Sequence, residues 1–227
     1  MTANLTSLSP NARRWLENSL STNNPAPNRI LNSQEGEIDV RGKWMPFTAS
    51  TIYQREPVSF IWKARLNVMP IAWVIAEDGH DDEKGWGGSK LWGFVPMGGR
   101  KGSEVFAMQA VRSLAELPWK PSFAPALTDL EWTDSGENSF DVSSVAGGEP
   151  FSVRFDLNGD GDIIRASSQR YYDVPDGFVK VPWHVEFSDH MDFDGVRLPK
   201  TAVSTYEKQE GSWEYWRGKI ISTKTEY

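Results

Sequence analysis

Arg112 and Glu116 are the two residues of this sequence best placed for chemistry. They lie four positions apart in a largely apolar stretch, so a helix would bring both side chains to one face, where they could pair. Such a pair is either a structural contact at the rim of a core or a polar anchor inside a ligand groove. In the second case the guanidinium of Arg112 could bind a carboxylate or phosphate through two hydrogen bonds.

Glu116 also permits an enzymatic interpretation. Glycoside hydrolysis requires two carboxyl groups across one cleft, and Asp78 or Glu131 could supply the second one. A cleft rich in tryptophan would suit a sugar, and the chain has 11 tryptophans. The sequence contains no Gly-x-Ser-x-Gly motif and no recognisable Ser-His-Asp pattern. A hydrolase that uses Glu116, tuned by Arg112, therefore remains an alternative, and no catalytic residue is assigned.

One acidic segment resembles a calcium-binding loop, but the pattern is incomplete. Asp156–Asp162 carries oxygen ligands at alternate positions, whereas the twelfth position is Ser167 instead of glutamate. Its Asn-Gly and Asp-Gly pairs indicate a hairpin turn instead. His80 is expected in a solvated acidic turn, and His184 and His190 lack the spacing of zinc ligands. The sequence therefore predicts neither a metal ion nor a cofactor.

Composition limits the classes of partner. The net charge of −7 and the pI of about 5.1 argue against nonspecific nucleic-acid binding and against a basic membrane-surface patch. The absence of cysteine excludes disulfides and thiolate chemistry. Residues 1–10 do not resemble a signal peptide, and no run of about 18 apolar residues occurs. These features predict a cytoplasmic protein without stable membrane insertion.

The elements that must position Arg112 and Glu116 begin with one helix, predicted at about residues 103–117. Ser103 is expected to cap its amino end, and Pro118 should end it near Leu117 because proline lacks an amide hydrogen. Apolar residues cover most of its circumference, so this helix should be buried. A second, short helix is predicted at about residues 9–20.

Strands dominate the rest of the chain. In residues 58–68, apolar and polar side chains alternate, which is typical of a strand with one buried face. Glycine-rich residues 85–88 are expected to separate strands, and residues 96–102 are expected to form a flexible loop before the central helix. The spacing of the strands favours an antiparallel meander of about ten to twelve strands.

The order of strands, one apolar helix and further strands predicts a mainly β fold. We expect a curved antiparallel sheet, an open half-barrel, that wraps the buried central helix and carries the short N-terminal helix at one edge or end. Residues 1–227 are predicted to form a single domain.

Several segments together resemble a bacterial family of domains of unknown function, in the same order over nearly the whole chain. The resembling segments are Trp44–Ala49, Phe60–Ala64, Leu91–Pro96, Arg112–Pro121, Val181–Trp183, Gly195–Pro199 and Tyr215–Gly218. The run in the helix is the most specific, although Ser113 stands where the family usually carries tyrosine. The resemblance implies a fold similar to the half-barrels of lipoprotein-carrier-type proteins, which shelter acyl chains.

The function predicted from these features is non-enzymatic binding of an apolar or amphipathic small molecule, such as an acyl chain or lipid, between sheet and helix. Large apolar side chains appear in excess of what one helix must cover, and dry walls with a few polar groups are typical of ligand grooves. The predicted ligand-binding residues are Phe60, Trp62, Phe106, Arg112, Glu116, Trp119 and Trp183. A protein-interaction module using exposed Trp86, Trp92 and Trp216 is a further alternative.

Overall fold

The computed structural model of the protein describes residues 7–21, 25–69 and 71–227. Residues 1–6, which belong to the segment compared with a signal peptide, lie outside this part. The helices are α1 (Pro10–Ser19), α2 (Ser103–Ala115) and two short 3-10 helices, Leu117–Trp119 and Pro121–Ala126. The strands are β1 (Arg29–Asp39), β2 (Trp44–Gln54), β3 (Ser59–Met69), β4 (Ala72–His80), β5 (Gly85–Leu91), β6 (Val95–Lys101), β7 (Glu131–Gly136), β8 (Ser139–Ala146), β9 (Glu149–Leu157), β10 (Ile163–Val174), β11 (Gly177–Phe193), β12 (Val196–Lys208) and β13 (Gly211–Glu226).

All thirteen strands form one antiparallel sheet. Its order is β6-β5-β4-β3-β2-β1-β13-β12-β11-β10-β9-β8-β7, so two meanders, β1–β6 and β7–β13, are joined where β1 pairs with β13. The edges β6 and β7 do not pair with each other, and the sheet is therefore open. This arrangement confirms the predicted mainly β, open half-barrel fold.

Helix α2 connects the two edge strands across the concave face of the sheet. It packs against β4, β5 and β6 of the first meander and against β8, β9 and β10 of the second. One helix can touch strands so far apart in the sheet only if the sheet curves around it. Arg100 of β6 also forms an ion pair with Asp173 of β10, which links the two meanders directly.

The ends of α2 differ slightly from the prediction. Its N-cap is Gly102, with a φ of 125° that favours glycine, while Ser103 is the first helical residue and its hydroxyl donates to Glu104 Oε2 at 3.0 Å. The helix ends at Ala115, and the chain continues as a 3-10 helix containing Pro118. Ser103 as the N-cap was therefore wrong, whereas the end near Leu117 was close.

Helix α1 closes one end of the half-barrel. Its N-cap is Ser9, whose hydroxyl accepts from the backbone N–H of Ala12 at 3.4 Å, and Pro10 begins the helix, close to the predicted start at about residue 9. Trp15 is buried and stacks on Phe140 of β8 with 6.1 Å between ring centroids. None of the helices in the described part of the chain is long and apolar enough to cross a membrane.

The glycine-rich region between His80 and α2 is sheet and not a flexible loop. Residues 85–88 lie in β5, and residues 96–101 lie in β6. Glycine is required at Gly85 because a Cβ there would lie 2.5 Å from the Cα of Phe106 in α2. The glycines therefore allow the sheet to approach the helix closely, a long-range requirement that local composition does not reveal.

Candidate ligand-binding site

Arg112 is the centre of an ion-pair cluster on the sheet-facing side of α2. Its Nε donates to Glu116 Oε1 at 2.8 Å, one helical turn further on, and its Nη1 donates to Asp78 Oδ2 of β4 at 3.0 Å. The side chain of Arg112 is 14% exposed, that of Glu116 8% and that of Asp78 32%. Asp78 and Arg112 are thus the members of the cluster that a ligand could reach.

Two aromatic rings of β3 support the guanidinium. Phe60 and Trp62 are two positions apart on the strand, so both point to the concave face. The centroid of each ring lies 5.0 Å from the central carbon of the Arg112 guanidinium. Both residues are almost fully buried, and Trp62 Nε1 donates to Gln34 Oε1 at 3.0 Å. They act as a platform for Arg112 through cation–π contact and are not themselves open walls.

Tyr53 and Lys120 extend the cluster into the core. The Tyr53 hydroxyl donates to Glu116 Oε2 at 2.6 Å, and burial, reinforced by the nearby carboxylate, raises the pKa of Tyr53 well above its ordinary value. Lys120 Nζ lies 4.6 Å from the ring centroid of Tyr53 and donates to the hydroxyl of Ser113 at 3.0 Å. Burial lowers the pKa of Lys120 to about 8. Both oxygens of Glu116 are therefore engaged, and this geometry does not favour the hydrolase alternative.

A second buried cation, Arg170 of β10, was missed by the sequence analysis. Its Nη1 donates to the hydroxyls of Tyr206 at 2.6 Å and Tyr215 at 3.2 Å, and its Nε donates to the carbonyl oxygen of Met108 in α2. The guanidinium lies 4.8 Å from the ring centroid of Trp183. Arg170 stands in an alternating strand of ordinary appearance, so no local signal marks it.

Two arginines and a second carboxyl group surround Asp78, while Lys120 lies further in, beside Tyr53 and Ser113. Asp78 and Glu116 face Arg112 within the first cluster, and Arg170 is close enough to lower the pKa of Asp78. Burial is nevertheless the dominant influence, and the pKa of Asp78 is raised from its ordinary value. A ligand head group at Asp78 therefore meets two carboxyl groups and two guanidinium groups.

A row of small side chains crosses the concave face beside Asp78. In the strand register Ala49 of β2 pairs with Ala64, Ala64 with Ala76, and Ala76 with Ser89 of β5. Ala49, Ala76 and Ser89 are half-buried, whereas Ala64 is covered. Four neighbouring strands span about 14 Å from first to last. The row therefore forms a shallow trough whose bottom consists of methyl and hydroxymethyl groups.

Larger residues on the same face border this trough without being fully buried. Val74 of β4 packs against the core, as do three residues of the second meander, Tyr172, Trp213 and Tyr215. Each of these four side chains keeps part of its surface accessible. Inward-facing residues that remain accessible indicate that the concave face is open here. On β4, the partly accessible Val74 and Ala76 lie on the same face as Asp78.

The seven predicted ligand-binding residues do not all meet at this place. Phe60, Trp62, Arg112 and Glu116 come together, and Trp183 lies in the neighbouring Arg170 cluster. Trp119 is buried, donates from Nε1 to the carbonyl oxygen of Pro199 at 2.9 Å, and borders a separate pocket of about 340 Å³.

Phe106 lies at the start of α2, against His80. His80 itself is buried, contrary to the expected solvated turn, because Phe60 and Phe106 enclose its ring.

The remaining alternatives are placed as follows. Trp216 lies in the core, where it stacks on Phe47 with 5.8 Å between centroids, so it cannot belong to an outer interaction patch, whereas Trp92 is 40% exposed. In the segment compared with a calcium loop, Asp162 accepts hydrogen bonds from Arg197 Nε at 2.7 Å and Nη2 at 2.8 Å. That carboxylate therefore serves as the partner of an arginine.

The chain belongs to a family of unknown function, DUF6544, whose model matches residues 1–218. This confirms the resemblance inferred from the sequence. No curated protein matches the chain.

Among solved structures, the protein is similar to a LolA superfamily protein from Nitrosomonas europaea, with 8% identity, a TM-score of 0.48 and coverage of 95% of this chain and 94% of that chain. It is also similar to a DUF1329 family protein from Desulfovibrio piger, with 13% identity, a TM-score of 0.43 and coverage of 95% and 90%. A candidate outer membrane lipoprotein-sorting protein domain from Vibrio parahaemolyticus shows 8% identity, a TM-score of 0.46 and coverage of 87% and 85%.

Proposed function

We propose that this member of the DUF6544 family binds an amphipathic small molecule on the open part of the concave face. The aliphatic chain of the ligand lies in the trough formed by Ala49, Ala64, Ala76 and Ser89. Its polar head group contacts Asp78 and the neighbouring guanidinium of Arg112. The observation that supports this proposal is that partly accessible apolar residues of β4, Val74 and Ala76, share a face with the partly exposed Asp78, which pairs with Arg112. Ligand sites commonly combine dry walls with a small number of placed polar groups.

The charge balance of the site selects the head group. Arg112 already donates to two carboxylates, so it is not available for the bidentate anion binding expected from sequence. A further anion would add to the two carboxylates, and a cation would meet two arginines. The head group that fits is uncharged and carries both a donor and an acceptor, as an alcohol, glycerol or amide does. Its donor bonds to Asp78, whose Oδ2 is already paired with Arg112.

The identity of the ligand can be tested directly. Protein purified from its own host under mild conditions is measured by native mass spectrometry and then extracted with organic solvent. We expect a mass increment that disappears on extraction, and an extract that contains a long-chain compound with an uncharged polar head. An extract without such a compound, together with no binding of fluorescent long-chain alcohols or fatty acids, would refute the proposal.

Variants locate the binding site. Ala76→Phe places a large side chain in the trough and should lower the affinity for a fluorescent long-chain alcohol by at least tenfold. Thr48→Phe is the matched control, because Thr48 is exposed and points away from the concave face on β2. Equal affinities of the two variants would show that the trough is not used.

A third variant tests the head group. Asp78→Asn leaves the Arg112–Glu116 pair in place but makes the local charge positive. We expect weaker binding of the alcohol, by about tenfold for the loss of a hydrogen bond to a charged group, and stronger binding of the fatty acid of equal length. A parallel change in both affinities would contradict the assignment of Asp78 to the head group.

A further inference from the structure

The hairpin formed by β5 and β6 differs in charge from the rest of the molecule. Residues 84–101 contain Lys84, Lys90, Arg100 and Lys101 and no acidic residue, although the whole chain carries a net charge of −7. Lys84 pairs with Asp81 and Arg100 with Asp173. Lys90 and Lys101 are exposed and form no ion pair within the described residues. The hairpin is therefore a local cationic surface on an acidic protein.

The tip of this hairpin exposes large apolar side chains. Phe94 is 72% exposed, Met97 59% and Trp92 40%, and Ile71 in the adjacent β3–β4 turn is 81% exposed. Trp92 and Phe94 stack with 6.3 Å between ring centroids, and Trp92 Nε1 donates to the carbonyl oxygen of Ile71 at 3.0 Å. The two turns are thus held together as one exposed apolar tip, which consists of Ile71, Trp92, Phe94 and Met97.

The backbone conformation of the tip is costly for its sequence. Trp92 has a φ of 54° and Gly93 a φ of 81°. The left-handed region suits glycine, asparagine or aspartate, and a bulky residue such as tryptophan is disfavoured there. A tryptophan in this conformation costs free energy, and its hydrogen bond to Ile71 and its stacking on Phe94 oppose that cost.

An open groove of about 1670 Å³ continues from the tip along the outer face of β4, β5 and β6. Trp92 and Pro96 line it near the tip. Its charged lining consists of five cations, Lys63, Lys84, Lys90, Arg100 and Lys101, and three acidic residues, Glu77, Asp81 and Glu83. The apolar rings and the two unpaired lysines therefore share one surface. Edge strand β6 is exposed along its whole length, so nothing in the described part of the chain covers this surface.

We propose that the β5–β6 hairpin docks the protein on an anionic lipid bilayer. The aromatic rings of Trp92 and Phe94, with Ile71, enter the interfacial layer, where tryptophan is favoured. The outer groove of the hairpin lies against the bilayer, so that Lys90 near the tip and Lys101 at the far end of β6 both face the lipid phosphates. Each cation near such a surface strengthens binding. The charge of the hairpin complements the bilayer, whereas the rest of this acidic molecule is repelled by it. The docking is peripheral, because only a hairpin tip enters the membrane.

Sedimentation with lipid vesicles tests this proposal. Wild-type protein is mixed with vesicles of phosphatidylcholine alone or with 30 mol% phosphatidylglycerol. We expect binding to the anionic vesicles, much weaker binding to the neutral ones, and release at high salt because the Debye length shrinks. Wild-type protein that binds both kinds of vesicle equally, or neither, overturns the proposal without any variant.

Variants separate the contributions of charge and apolar contact. Lys90→Gln with Lys101→Gln should weaken binding to anionic vesicles about thirtyfold, at about fivefold per charge. Phe94→Ser should weaken it about tenfold, because most of this ring is exposed in free solution. Trp92→Asn should also weaken binding, because it removes one ring of the apolar tip, while asparagine tolerates the left-handed turn.

Two matched controls lie elsewhere on the molecule. Val58→Ser removes an apolar side chain that is 44% exposed in the β2–β3 turn, and Lys224→Gln removes an exposed cation near the carboxyl end of β13. Both should bind anionic vesicles like the wild type. Losses as large as those of the hairpin variants would overturn the proposal.

Light scattering distinguishes a rival occupant. If the hairpin instead joined two copies of the chain, Phe94→Ser would convert a dimer to a monomer without altering vesicle binding. That result would also overturn membrane docking.

Discussion

Acidification should destabilise this protein through His80, the last residue of β4. The ring is 5% exposed and lies between Phe60 and Phe106, with 5.9 Å to each centroid. Its Nδ1 donates to the carbonyl oxygen of Asp81 at 3.0 Å, while its Nε2 has no hydrogen-bond partner in the described part of the chain. A proton on Nε2 would place a charge among aromatic rings.

Burial, the dominant cause, lowers the pKa of His80 to about 4 from its ordinary value of 6.5. The contact with Asp81 opposes this shift without cancelling it. Between pH 6.5 and about 4 the unfolded chain binds a proton at His80 that the folded chain does not bind. Stability therefore falls as the pH falls through this window. At about 1.4 kcal/mol per pKa unit, the loss reaches about 2.5 kcal/mol by pH 4.5.

The assay is urea denaturation of wild type and His80→Phe from pH 8 to pH 4. Phenylalanine keeps a ring between the two aromatic neighbours but cannot titrate, and the lost hydrogen bond to Asp81 should cost about 1 kcal/mol at every pH. Other titrating groups act equally in both proteins, so they cancel in the difference between the curves. We expect parallel curves above pH 7 and convergence, then crossing, below pH 6. Curves that stay parallel to pH 4 would refute the burial argument.

The ion pairs lead to further predictions, all measured by denaturation. Arg112→Met leaves two carboxylates without their cation and should lower the free energy of unfolding by about 3–5 kcal/mol. Tyr53→Phe removes one hydrogen bond to a charged group and should lower it by about 1.5–3 kcal/mol. Equal losses in the two variants would contradict the central role of Arg112. Asp162→Asn should cost about 1–3 kcal/mol at neutral pH. Burial acts to raise the pKa of Asp162, but the hydrogen bonds from Arg197 and the other partners outweigh it, and the pKa is lowered. This stabilisation is therefore lost as the pH falls below about 4. If Asp162→Asn lost as much stability as the wild type below pH 4, this role of Asp162 would be excluded.

The alternation of apolar and polar residues was a reliable predictor of a strand. The one-sided pattern of residues 58–68 became β3, with Phe60 and Trp62 on the buried face. The cap at Ser9 was equally predictable, because an N-cap depends on residues next to each other in sequence. The partnership of Arg112 with Glu116 follows from their spacing alone.

Features that depend on distant segments could not be predicted. The stretch around His80 is strongly polar, and its burial requires Phe106 from α2 to cover the ring. Glycines in β5 indicated a break, because nothing in the sequence reveals that a helix approaches them. Asp78 became the partner of Arg112 through the strand register.

The pairing of β1 with β13 determines the order in which this chain can fold. Every other strand pair joins neighbours in sequence, so both meanders can form from local hairpins as the chain leaves the ribosome. Arg29, in contrast, pairs with Glu226, and β1 must wait for almost the whole chain to be synthesised. Until then β1 and β12 are open strand edges, which are prone to aggregation. A chain cut before β13 should therefore aggregate instead of folding to a smaller half-barrel.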